Sequence, residues 1–102
     1  MSRGPDAATL LRRVLERHAE RCGLSLSWHA TESRRWASAT FVGACHRMAL
    51  AIEGAGTDAW IAGLDEVDLP LRGHLVADLI VATTVRTDIG ADVGIEVLTV
   101  ET

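Results

Sequence analysis

The side chains best suited to chemistry are a loose set of histidine, cysteine and aspartate residues. Cys45 and His46 are adjacent in an expected strand, so they point to opposite faces and cannot act together as nucleophile and base. Two histidines and an aspartate can form a facial metal triad, but no spacing brings His29, His74 and Asp78 together. Gly-rich phosphate loops, H-E-x-x-H and nucleophile elbows do not occur. We therefore expect neither a metal nor a cofactor.

His74 and Asp78 lie in the longest apolar run, Arg72–Arg86. In a regular strand they share a phase, with Val76 between them, and their Cα atoms are about 13 Å apart. They could line one groove. We favour a structural Asp78 that is partly buried and accepts hydrogen bonds from Arg47, His74 or backbone amides, because an unpaired buried charge is too costly to keep.

The three tryptophans carry most of the aromatic surface of the chain. Packing in the core or in a dimer interface is the expectation that we favour, since one tryptophan can bury up to about 250 Å². The alternative is the wall of a ligand pocket. In that alternative the candidate ligand-binding residues are Trp28, Trp36, His46, Trp60, His74 and Asp78.

The most secure element is an amphipathic helix over residues 6–22. Apolar or small residues recur there at i, i+3, i+4 and i+7, which places His18 on the apolar face as a satisfied core histidine. Pro5 suits the first turn, Asp6 caps or complements the dipole, and Gly23 suits the position after the helix. The arginine-rich outer face is read as a solvated surface with ion pairs.

Strand periodicity follows the helix. Leu24–Ala30 alternates as a half-buried strand, and Thr31–Arg35 is expected to be a polar turn. Trp36–Glu53 changes phase at Gly43, which predicts either a two-residue hairpin turn or a bulge there; both remain open.

The second half of the chain predicts three more strands. Gly54–Gly56 reads as a turn that does not open a helix, and Asp58–Leu64 as a fourth strand. Arg72–Arg86 reads as a central strand buried on both faces, and Val93–Glu101 as the last strand. The sequence thus predicts one α+β domain over residues 1–102. Its N-terminal helix packs on an antiparallel sheet of five to six strands in a two-layer sandwich.

Composition restricts the function classes. The net charge is −4: residues 1–35 hold seven Arg and four acids (+3), and residues 36–102 hold three Arg and ten acids (−7). The acidic half disfavours nucleic acid. The longest apolar run, Arg72–Arg86, has only fifteen residues and a charge at Asp78, so it is too short and too polar to span a bilayer. Cys22 and Cys45 lack disulfide-framework spacing and the N-terminus lacks a signal-peptide core, so we expect a cytoplasmic protein without a membrane partner.

The functional expectation follows from the apolar excess. Apolar residues make up 48% of the chain, and one helix covers only one face of the sheet, which leaves Val76, Ile80 and Ala82 in need of cover. We expect a non-catalytic homodimeric binding or regulatory protein that pairs through its sheet. The alternative is a small enzyme or ligand carrier. A pocket holding two of His46, His74 and Asp78 would favour that alternative.

Overall fold

The computed structural model describes residues 6–102 and confirms an α+β fold with an antiparallel sheet. Pro5 lies outside the described residues. The sheet has four strands in the order β1-β2-β4-β3, and the helices lie against one of its faces. The elements are α1 (Ala7–Arg21), β1 (Ser25–Ala37), β2 (Val42–Glu53), α2 (Thr57–Gly63), a 3₁₀ turn (Leu64–Glu66), β3 (His74–Arg86) and β4 (Gly90–Glu101).

Helix α1 has the caps that the sequence predicts. The Asp6 carboxylate accepts a hydrogen bond from the Thr9 amide at 2.9 Å, which satisfies one free donor of the first turn. After the helix, Gly23 adopts a φ of 77°, and the Leu24 amide donates to the Ala19 carbonyl at 2.9 Å. This is a Schellman ending, for which glycine is the favoured residue.

The core lies between α1 and the central strands. Each central strand alternates buried and exposed residues, so one face of the sheet meets α1 and the other does not. We call these the inner face and the outer face. The buried apolar side chains are Leu11, Val14, Leu15 and Ala19 of α1, Met48, Leu50 and Ile52 of β2, and Ala91, Val93, Ile95 and Val97 of β4.

The expectation of five to six strands is wrong because β1 is longer than predicted and the predicted strand Asp58–Leu64 is helical. The polar segment Thr31–Arg35 is not a turn but the second half of this 13-residue strand. A bulge at His29 shifts the pairing by one residue. Bulges reset the alternation of side chains, so a strand that contains one does not show a single period-2 pattern.

Gly43 is neither a hairpin turn nor a bulge. It lies inside the continuous strand β2, and the connection from β1 is formed by residues 38–41. A Cβ atom at Gly43 would be 2.1 Å from the Thr99 carbonyl oxygen and 2.7 Å from the Trp36 ring. Glycine is required there because the Trp36 ring packs directly on its backbone.

The predicted fourth strand, Asp58–Leu64, is helical. The buried residues Thr57, Trp60 and Leu64 are spaced three and four apart, which is the period of a helix. Reading Trp60, Ala62 and Leu64 as alternate strand positions gave the wrong period. Gly56 is the N-cap of α2, so the glycine segment before it does open a helix.

Strand β3 is an edge strand rather than the central one. Its consecutive apolar residues divide between the two faces, and bulges at Ala77 and Ala82 change which of them lie on each face. Leu75, Ile80 and Val85 are 58%, 47% and 63% exposed. A continuous apolar run was therefore not a sign of burial on both faces.

The position of Leu11 generates a stability prediction. This side chain is fully buried in the core, so Leu11→Ala should lower the free energy of unfolding by about 2–5 kcal/mol. Urea denaturation followed by circular dichroism measures the change. Arg13→Ala, on the exposed side of α1, is the matched control and should stay within about 0.5 kcal/mol of the parent.

Candidate functional site

The bulge at Ala77 separates the two residues that the sequence placed in one groove. His74 pairs with Glu101 on the inner face, whereas Asp78 pairs with Leu98 and lies exposed on the outer face. None of the hydrogen bonds or ion pairs among residues 6–102 involves Asp78. The prediction of a partly buried, hydrogen-bonded Asp78 is wrong. Val76, expected on the uncovered face, packs against the core instead.

The inner face has a cavity of about 260 Å³ beyond the first turn of α1. His46 of β2 and His74 of β3 both line it, and these are two of the predicted site residues. The wall is formed by Asp6, Ala7, Ala8, Ser33, Arg35, Gly43, Ala44, His46, His74, Thr99 and Glu101.

His46 and Thr99 are the most buried polar residues of this wall, at 2% and 1% exposure. The Nδ1 atom of His46 lies 2.7 Å from the Ser33 hydroxyl, and its Nε2 atom lies 2.9 Å from the Thr99 hydroxyl. Ser33 is opposite His46 in the register of β1 and β2. Both ring nitrogens are therefore satisfied, as a buried imidazole requires.

The tautomer of His46 is assigned from its hydrogen-bond network. The Thr99 hydroxyl donates to the Ala44 carbonyl at 3.4 Å, so it accepts from a protonated Nε2 of His46. This leaves the Nδ1 atom of His46 unprotonated, and the Ser33 hydroxyl donates to it. The chain of donors runs from Ser33 through His46 and Thr99 to the backbone.

Burial controls the charge of His46. Removal from water lowers the pKa of His46 below the ordinary value of 6.5 because it disfavours the imidazolium. The carboxylate of Asp6 acts in the opposite direction, and His74 adds to the lowering. His46 is consequently a neutral base at pH 7.

Charged side chains lie around the rest of the cavity. The Arg35 guanidinium is 3.7 Å from the Glu101 carboxylate, and both are largely solvent-exposed, so this pair contributes little stability. The pKa of Asp6 is lowered, first because its carboxylate accepts the backbone hydrogen bond from Thr9. The cavity thus offers hydroxyl, imidazole, guanidinium and carboxylate groups near an apolar floor.

The other predicted ligand-binding residues are dispersed. Trp28 is half-buried against the core, and Trp60 is buried in α2, where its indole N–H donates to His18 Nδ1 at 2.8 Å. This contact confirms His18 as a satisfied histidine. Trp36 lies on the outer face over Gly43. The tryptophans pack in different places and do not form one wall.

Ser33, Arg35 and Thr99 are the cavity residues that sequence reasoning missed. Ser33 and Arg35 were assigned to a turn, and Thr99 lay in the expected last strand without being singled out. The alternation of Thr31, Ser33 and Arg35 was a usable signal, because it places three polar side chains on one face of a strand. The bulge at His29 was not known from the sequence, so the sequence alone did not show which face of the sheet these side chains occupy.

Further observations restrict the site. Among residues 6–102, no cluster of three histidine, cysteine or carboxylate side chains could hold a metal ion. The described helices are all too short or too polar to cross a membrane. No protein-family model, curated protein or solved structure is significantly similar to this chain.

The lowered pKa of His46 predicts a pH-dependent stability. The unfolded chain binds a proton on this histidine at higher pH than the folded chain does. The free energy of unfolding should therefore be fully retained above pH ~6.5, and should fall as the pH decreases toward the lower folded-state pKa. Urea titrations at several pH values measure this slope.

Two variants assign the slope to His46. His46→Gln should flatten this acid-side dependence, while lowering stability at pH 8 by about 1–3 kcal/mol through the altered hydrogen bonds. His29→Gln removes a histidine that is 58% exposed and should keep the parental slope. An unchanged slope in His46→Gln would contradict the assignment.

Proposed function

We propose that this chain is a small homodimeric binding domain that pairs through the outer face of its sheet. The main observation in support of this proposal is an uncovered face of the sheet on which large apolar side chains are exposed. Leu75, Ile80 and Val85 of β3 all point to it, and none of the described helices covers it. Exposed apolar groups in one surface favour a protein partner.

The strand register shows which side chains lie side by side on the outer face. One row across the sheet is apolar and consists of Trp36, Gly43, Val100 and Leu75. Another row, Ala30, Ala49, Gly94 and Thr83, has short side chains that permit close approach of a second sheet. Apolar and small rows of this kind are typical of a face that packs against protein.

Charges between these rows favour a second copy as the partner. Between the two rows, the β1–β2 half of the outer face carries Arg34, Arg47 and Glu32, a net charge of +1, and the β4–β3 half carries Asp78 and Glu96, a net charge of −2. A two-fold axis parallel to the strands places the net-positive section of one copy, between the two rows, over the net-negative section of the other. Self-complementarity is the requirement for a two-fold interface.

Edge-to-edge pairing is a less favourable way to dimerise. The edge strand β1 is interrupted by a bulge at His29, and the edge strand β3 by bulges at Ala77 and Ala82. Bulges at an edge disrupt the ladder that another strand would extend. These bulges do not prevent packing on the outer face.

The outer face is also large enough. Four strands about 4.8 Å apart and about 40 Å long give a flat area of roughly 760 Å². A standard protein interface buries about 800 Å² per partner. Face-to-face packing of the whole sheet would therefore reach the size of a stable dimer.

A second candidate function is that of a small enzyme or ligand carrier. The cavity on the inner face favours it, because two of the three polar residues that were expected to mark such a pocket, His46 and His74, lie in its wall. The two functions use opposite faces of the sheet and are compatible.

The dimer proposal predicts a mass of two chains in solution. Sedimentation velocity at micromolar concentration should give a dimer of the 10.9 kDa chain. Ile80→Asp places a charge in the proposed interface next to Asp78 and Glu96, and should shift the protein to monomer without loss of secondary structure.

Ile89→Asp is the matched control. Ile89 is 62% exposed but lies between β3 and β4, so this variant should remain a dimer. A monomeric parent protein, or a dimer that survives Ile80→Asp unchanged, would contradict pairing through the outer face.

A further inference from the structure

We propose that Ser33 and His46 form the nucleophile and general base of an acyl-transfer site for small carboxylic esters. This inference specifies the second candidate function and does not depend on the dimer. It rests on the cavity and on the distances within the Ser33–His46–Thr99 chain, with the tautomer of His46 assigned from the Thr99 contact to the Ala44 carbonyl.

The geometry meets the requirements for an activated serine. The Ser33 hydroxyl is 2.7 Å from His46 Nδ1, which is within the reach of direct proton transfer. Thr99 holds the other ring nitrogen at 2.9 Å and so keeps His46 in the tautomer that can accept a proton from Ser33. Ser33 as nucleophile, His46 as base and Thr99 as orienting group are linked by successive hydrogen bonds, which is the arrangement of serine-dependent catalytic sites.

The first half of the reaction transfers the acyl group. The Ser33 oxygen forms a bond to the ester carbonyl carbon, and its proton moves to His46 Nδ1. The bond from that carbon to the alcohol oxygen then breaks, and the departing oxygen takes the proton from His46. The products of this half are an alcohol and an ester of Ser33.

The second half uses water. A water molecule attacks the Ser33 ester while His46 Nδ1 accepts one of its protons. The bond between the acyl carbon and the Ser33 oxygen breaks, and that oxygen takes the proton back from His46. The sum is hydrolysis of the ester to a carboxylic acid and an alcohol, and no other reactant is required.

Thr99, the group that orients His46, limits the rates of both the acylation and the hydrolysis half of the reaction. Thr99 carries no charge, so it fixes the ring of His46 but does not compensate the imidazolium that forms during proton transfer. Burial further disfavours that charge, although the Asp6 carboxylate opposes this effect. We therefore expect one round of acylation followed by slow hydrolysis, which lets the Ser33 ester accumulate.

The wall of the cavity selects the substrate class. A volume of about 260 Å³ admits a short acyl group, and Ala7, Ala8 and Ala44 give it an apolar floor. Arg35 is the one arginine in this wall and lies two residues beyond Ser33 on the same face. Its guanidinium can stabilise the negative oxygen of the tetrahedral intermediate once it leaves Glu101.

A purely structural role for the same hydrogen bonds makes different predictions. A histidine that only fills the core would stabilise the fold but would not change the reactivity of Ser33. Acylation at Ser33 therefore separates the two roles, and the thermal stability of a variant does not.

The test is acetylation by p-nitrophenyl acetate, followed by intact mass and peptide mapping. The full chain at pH 8 should gain one acetyl group on Ser33, with release of one equivalent of p-nitrophenolate in a burst. Ser33→Ala should lose this label. Ser27→Ala, which removes another exposed serine of β1, should keep it. His46→Gln should slow acetylation of Ser33 by about a hundredfold.

The pH dependence of the unmodified chain keeps the test independent of whether His46→Gln folds. The groups around His46 are Ser33, Thr99, Asp6 and His74, with Arg35 and Glu101 in the same cavity. The acetylation rate should rise through one titration with a midpoint below 6.5 and then level off, because the neutral imidazole is the base.

Three results would overturn the proposal: no acetyl group on Ser33, labelling confined to Cys22 and Cys45, or a rate that rises in proportion to hydroxide. Sedimentation of the same sample reports the dimer separately. A dimer without acetylation would remove only this site, and acetylation of a monomer would remove only the interface.

Discussion

The alternation of side chains along each strand, and its interruption at three bulges, is the constraint on which the rest of the structure depends. A pleated strand sends successive residues to opposite faces, so one extra residue exchanges the faces of everything beyond it. The bulge at His29 turns Ser33 and Arg35 inward, and the bulge at Ala77 sends Asp78 outward. Both the cavity and the outer face exist in their observed form because of these positions.

The sequence predicted the elements that have one regular period. Helix α1, with Asp6 and Gly23 at its ends, follows directly from spacing and capping, and the expected last strand, Val93–Glu101, lies within β4. It failed for β1 and β3, whose residues change phase inside a single strand. The bulged residues His29, Ala77 and Ala82 have no side-chain type that marks a bulge, so the shift depends on pairing with the neighbouring strand.

The candidate site could be predicted only in part for the same reason. His46 and His74 were identifiable by residue type, but their place in one cavity wall depends on the strand order, in which β4, the last strand of the chain, lies between β2 and β3. Thr99 was not identifiable, because a threonine in an apolar strand is ordinary, and the alternation that contains Ser33 did not show which face it occupies. Their role follows from the burial of His46, since a buried imidazole must find partners for both nitrogens.

The difference in length between helix α1 and the strands explains the position of the hydrogen-bonded groups Ser33, His46 and Thr99. Helix α1 has 15 residues and is about 22 Å long, whereas a strand of 12 or 13 residues extends about 40 Å. The helix covers the strands only as far as its first turn, at Ala7, and the sheet continues past it. Apolar residues there would have no helix to pack on. Hydroxyl and imidazole groups can satisfy one another at that boundary and still face an open cavity, so the end of the helix determines where a reactive group can be both held and reached.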